Sequence, residues 1–123
     1  SLQKIITGAD SVTELSSTGN ITTSTSWAYT GKSLTLHSAG WWAIEGYGNF
    51  ANAAPNAIAI NREVGSYYYE LAYAERHSVY DKTVQYLRTS CVGYFDANSV
   101  IKLFAKYQTA STNGVGLIAK KLH

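Results

Sequence analysis

The chain has 123 residues, with 10 lysines and arginines against 8 aspartates and glutamates, for a formal net charge of +2. That length holds one domain with one sizeable core, and a charge so small and dispersed excludes the basic surface that nucleic acid requires, with Lys120-Lys121 read as solvated strand-end charges. Charged residues make up 15%, against roughly 25% in an average soluble domain, while ten Tyr and three Trp exclude disorder and favour strands.

Residues 1–10 read differently from the rest. Leu2, Ile5 and Ile6 fall at i, i+3 and i+4, one apolar stripe of a helix, with Gly8 as its stop. Two readings stay open: the tail end of a coiled-coil shaft cut off upstream, or a loop with three chance hydrophobes. A start at Ser1 without Met is compatible with an excised C-terminal fragment.

Residues 11–26 are rich in Ser, Thr and Gly, with short edge strands expected at Val12–Leu15 and Ile21–Thr23. Trp27–Tyr29 and Ser33–Leu36 follow as two strands split by the turn signal Thr30-Gly31-Lys32. Gly40–Phe50 alternates along its whole length. Trp42, Ile44, Gly46, Gly48 and Phe50 share one face, and Trp41, Ala43, Glu45, Tyr47 and Asn49 share the other. Neither face is cleanly polar, so one fills a core and the other is expected to meet a second subunit.

After a loop through Asn52 and Pro55, strands are expected at Ala57–Arg62, Tyr67–His77, Thr83–Phe95, Ser99–Tyr107 and Val115–Leu122. Turns at Val64-Gly65-Ser66, Tyr80-Asp81-Lys82 and Asp96-Ala97-Asn98 separate them. Alternation sends Tyr67, Tyr69, Leu71 and Tyr73 one way and Tyr68 the other, which places most of this tyrosine run in core or interface. The last strand is apolar on both faces, the mark of a central strand. About eight strands at roughly 10-residue spacing, without a helix in the body, predict an all-β sandwich or barrel.

Catalytic chemistry finds little footing. His37, His77 and His123 lack metal-ligand spacing, and no Gly-x-Ser-x-Gly elbow or P-loop occurs. Glu70 and Glu75 fall on opposite faces of a simple strand, a poor acid–base pair. Cys91 has no intramolecular partner and reads as a buried, inert thiol. No enzyme, metal or cofactor is expected, and no apolar run approaches the roughly 18 residues of a membrane helix.

Ala39-Gly40-Trp41-Trp42-Ala43-Ile44, the block from Val92 to Ala105 and the closing Asn113-Gly114-Val115-Gly116-Leu117-Ile118-Ala119 resemble the tumour-necrosis-factor and complement globular-head superfamily. The resemblance covers residues 11–122. It implies a jelly-roll β-sandwich over residues 11–123 that assembles as a homotrimer, with its final strand beside the three-fold axis. Within such heads the chain looks most like the knob of the tail needle in short-tailed phages of enteric bacteria. That likeness implies a place at the virion tail tip, with residues 1–10 ending a coiled-coil shaft that plugs the portal channel until ejection. It also implies a partner on the host surface, a glycan or outer-membrane constituent. The alternative is an extracellular recognition module binding a glycan or protein ligand.

The expected trimer seam comprises Trp41, Glu45, Tyr47, Tyr86, Arg88, Phe104 and Ile118. An arginine there needs a partner, because an unpaired buried charge is costly. Glu45 of the same or a neighbouring subunit is one candidate. A small carboxylate or phosphate held between subunits by Arg88 and the tyrosines is the other.

Overall fold

A computed structural model describes residues 13–18, 24–50, 56–76, 85–107 and 112–122. Eight strands occupy them: β1 (Thr13–Thr18), β2 (Ser24–Leu36), β3 (Gly40–Phe50), β4 (Asn56–Val64), β5 (Tyr67–Arg76), β6 (Gln85–Phe95), β7 (Ser99–Tyr107) and β8 (Thr112–Lys121). They form two antiparallel four-stranded sheets, ordered β1-β8-β3-β6 and β2-β7-β4-β5, stacked as a sandwich. The chain switches sheets at most connections, which makes the topology a jelly roll. The expected helix at residues 1–10, the strand at 21–23 and the turn near Tyr80 lie outside the described residues.

β3 sets the layers. Trp42, Ile44 and Phe50 are fully buried, meeting Leu103 and Ile101 of β7, Ile58 and Ile60 of β4, and Val115 and Leu117 of β8. The Trp42 indole N–H donates to the Ser38 carbonyl at 3.1 Å, and His37 packs edge-on against its ring. Gly46 sits on this inner face because the opposite sheet comes too close for a side chain, and Gly48 because the Phe50 ring and Ile58 fill its space. A Cβ on Gly46 would lie 2.9 Å from Leu103 and 3.1 Å from Ile60. β8 runs between β1 and β3, a central strand as its composition predicts.

Two local expectations are corrected. Thr30-Gly31-Lys32 does not split β2. The irregularity is absorbed as a register shift between Tyr29 and Ser33, with Gly31 at φ 88°. The Thr30 hydroxyl donates to the Leu103 carbonyl at 2.8 Å and accepts from the Lys32 N–H, so the strand continues through the bulge. A second bulge lies in β5. Ile60 pairs with Ala72 but Asn61 pairs with Glu70, leaving Leu71 as the extra residue. That shift puts Tyr73 on the face of Tyr68 rather than of Tyr67 and Tyr69, and brings Glu70 and Glu75 to one face. The tyrosine run is not core: Tyr67, Tyr68 and Tyr69 are 69%, 47% and 56% exposed.

Candidate functional site

Each sheet turns one face to the core and one outward, and the outer face of β1-β8-β3-β6 gathers six of the seven expected site residues. The rungs follow from register. Trp41 faces Tyr94, Ala43 lies between Val92 and Lys120, and Glu45 between Ser90 and Ile118. Tyr47 lies between Arg88 and Gly116, and Asn49 between Tyr86 and Gly114. Trp41, Tyr86, Val92 and Tyr94 are large apolar groups in the open, and Trp41 and Tyr94 meet edge to face at 6.1 Å. Tyr94 and Val92 were missed in the sequence, although the alternation that pairs Tyr86 with Arg88 continues through Ser90 to both.

The middle of this face is a stack across three strands. Tyr47 lies over Gly116, where an added Cβ would come within 2.6 Å of two ring carbons and the phenol oxygen. The Arg88 guanidinium covers the ring from the other side, 5.0 Å from its centroid. Arg88 Nη1 donates to Asn49 Oδ1 at 3.2 Å and to its neighbour's carbonyl, that of Leu87, at 2.9 Å. Glu45 is therefore not its partner within the chain. Glu45, Arg88, Thr89 and Ser90 line an open hollow of about 230 Å³. Its lining carries one carboxylate and one guanidinium, so it offers an anion no net positive charge.

Phe104 does not join the other six. β7 belongs to the second sheet, and Phe104 lies on that sheet's outer face, opposite Tyr29 and Ala59. Its ring packs against Tyr68 at 4.9 Å and Tyr29 at 5.8 Å. Strand alternation showed that Phe104 points out; which sheet it points out from is a matter of topology. Lys102 pairs with Glu63 on the same face and stands 4.8 Å from the Tyr29 ring. Hydrogen bonds from Lys102 and from Tyr68 hold the Glu63 carboxyl below its ordinary range, and the Glu63 bond raises Lys102. The Tyr73 hydroxyl donates to Glu75, which pushes that phenol up.

No protein-family model matches the chain, and no curated protein matches it in sequence. Solved structures do match in three dimensions. Murine APRIL at pH 8.5 superimposes with a TM-score of 0.67 at 11% identity, over 90% of this chain and 100% of that one. Murine APRIL at pH 5.0 gives 0.62 at 14%, over 73% and 72%. Eiger TNF from S. frugiperda gives 0.55 at 10%, over 71% and 62%. The fold is a TNF-like jelly roll. At these identities the likeness is one of architecture.

The TNF-like sandwich is open along the edge between β5 and β6. A groove of about 500 Å³ lies there, lined by Arg62, Val64, Tyr69, Leu71, Cys91, Tyr94 and Phe95 among others. Arg62 Nε is buried without a hydrogen-bond partner, and its guanidinium lies 6.0 Å from the Phe95 ring. Cys91 is half-buried against the core and burial pushes its thiol up, away from nucleophilic use. Among the described residues, no three His, Cys, Asp or Glu side chains converge as metal ligands.

Proposed function

We propose that the chain forms a homotrimeric knob at the distal tip of a phage tail needle or fibre. It acts without enzymatic chemistry, contacting or penetrating the host cell envelope during attachment and genome ejection while the shaft below plugs the tail channel. The observation that carries the trimer is the uncovered face of β1-β8-β3-β6. Trp41, Tyr86, Val92 and Tyr94 stand 46%, 60%, 62% and 57% exposed on one sheet face, around a tyrosine locked between Gly116 and Arg88. Trp41, Val92 and Tyr94 cluster at one end of this face and Tyr86 stands at the other, and exposed apolar surface of this kind marks an interaction site. The TNF-like fold supports a three-fold partner arrangement, with β8 and β3 toward the axis. The placement on a phage rests on the residue resemblance around Gly40, Val92 and Asn113 and on the Leu2-Ile5-Ile6 stripe.

Light scattering at micromolar concentration tests the assembly. A mass three times 13.4 kDa that persists on dilution is expected, and a monomer overturns the seam. Preincubating host cells with purified knob tests the host contact. Slower adsorption of the parent phage is expected, and unchanged adsorption at saturating knob removes the phage assignment. A second reading, an extracellular recognition module, draws on the likeness of fold to Eiger TNF. Collagen triplets encoded upstream, in place of heptads, would move it ahead.

A further inference from the structure

The outer face of β2-β7-β4-β5, opposite the proposed seam, carries a surface that folding alone does not require. Ala57 and Ala59 pair in register with outward-facing Glu75, Tyr73, Lys106 and Phe104, so they point out, yet they are only 1% and 3% exposed. Rings cover them. Trp27 comes from one edge strand and Tyr73 from the other, three strand spacings or about 14 Å apart at the backbone. They nevertheless meet edge to face at 6.1 Å, so they lean across the alanines. A second rib runs Tyr29–Phe104–Tyr68. From Trp27 to Tyr29 the strand rises about 7 Å, a spacing that two linked sugar rings can bridge.

Charged groups are set among the rings. Lys106 stands 5.1 Å from the Trp27 centroid, Lys102 pairs with Glu63 beside Tyr68, and the Tyr73 hydroxyl bonds to Glu75. This composition selects among partners. The core of a protein–protein interface is depleted in Lys and Glu, and burying these pairs under a protein would desolvate them. A phosphate backbone requires a net positive strip, whereas Glu63, Glu70 and Glu75 stand among Lys102 and Lys106. A pyranose satisfies both features. Its C–H face packs on an aromatic ring while its equatorial hydroxyls bond at the rim to ammonium, carboxylate and phenol groups already held in place.

We propose that this face binds an oligosaccharide segment of a bacterial surface polysaccharide. Trp27, braced by Tyr73, stacks one pyranose, and Tyr29, in the rib that Phe104 and Tyr68 complete, stacks the next, while Lys106 and Glu75 bond the hydroxyls. The inference rests on the knob reading for its source and for the face being free, and it names the host partner.

The test is binding of the full chain to a printed array of bacterial polysaccharides and animal glycans, with light scattering on the same sample. Binding to at least one bacterial polysaccharide is expected. Trp27→Ala and Tyr73→Ala should each lower affinity tenfold or more, while Trp27→Phe retains most of it and Asp96→Asn in the β6–β7 turn leaves it unchanged. Circular dichroism verifies folding, and Tyr68→Ala on the second rib gives an independent variant. No binding anywhere on the array, or binding that survives Trp27→Ala combined with Tyr73→Ala, overturns the proposal. Binding confined to animal glycans overturns the bacterial source and favours the recognition-module reading. A monomeric mass with intact bacterial binding removes the trimer and leaves this face standing.

Discussion

Gly116→Ala separates folding from assembly at the proposed seam. Gly116 lies in β8 with backbone angles open to any residue, so alanine brings no conformational strain. The added Cβ would stand within 2.6 Å of two ring carbons and the hydroxyl oxygen of Tyr47, where a carbon–carbon contact needs about 3.5 Å. The ring must therefore lift by about 1 Å. It is the far end of a flexible side chain, so it can move. Lifting it weakens the Arg88 stack, worth roughly 0.5–1 kcal/mol at an exposed site. Alanine in place of glycine within a strand returns roughly 0.5–1 kcal/mol. The two nearly cancel, and the subunit itself should change by less than about 1 kcal/mol.

Assembly has no such compensation. A raised ring at the middle of the seam face misfits every copy. A loss of about 1 kcal/mol per subunit is about 3 kcal/mol per trimer, a more than hundredfold fall in the association constant. Light scattering across a dilution series, with circular dichroism at each concentration, reads both. The expected outcome is folded protein that dissociates at far higher concentration than wild type. A Gly116→Ala trimer with wild-type dilution behaviour would refute the seam or the locking of Tyr47 upon it.

Three further outcomes follow from the core and the charged pairs. Gly46→Val overfills the gap where a Cβ already meets Leu103 and Ile60, and should destabilise by about 1–3 kcal/mol in denaturant titration, with a Tm near wild type arguing against the close approach. Glu63 titrates below the ordinary carboxylate range when folded, so its contribution to stability is present above the unfolded carboxylate value and is lost as pH falls through the lowered one. Melting curves of Glu63→Gln should accordingly lose part of the acid-side slope, and an unchanged slope would dismiss the Lys102 and Tyr68 bonds as its cause. Iodoacetamide should modify Cys91 in the native chain more slowly than an unfolded thiol at the same pH, because burial raises its pKa and restricts access. Equal rates would place Cys91 in the open.

The faces of β3 and the run from Tyr86 to Arg88 were legible in the amino acids because strand alternation is local: each side chain's direction is set by its position two residues away. Apolar residues on both faces marked β8 as central, and the turns at Gly65 and Asn98 were visible because positive φ leaves a chemical signature. Bulges broke the rule. The extra residue at Leu71 is set by what β4 places opposite it, so Tyr73 moved to the face of Tyr68 and Glu70 joined Glu75. Thr30-Gly31-Lys32 has the composition of a turn, and only the Leu103 carbonyl across the sheet keeps it within β2. The separation of Phe104 from Trp41, Glu45, Tyr47, Tyr86, Arg88 and Ile118 has the same origin. Alternation states that a residue points outward, but which of two sheets receives its strand depends on pairing with residues far along the chain. The Trp27–Tyr73 contact over Ala57 and Ala59, spanning four strands, exists only once that pairing is complete.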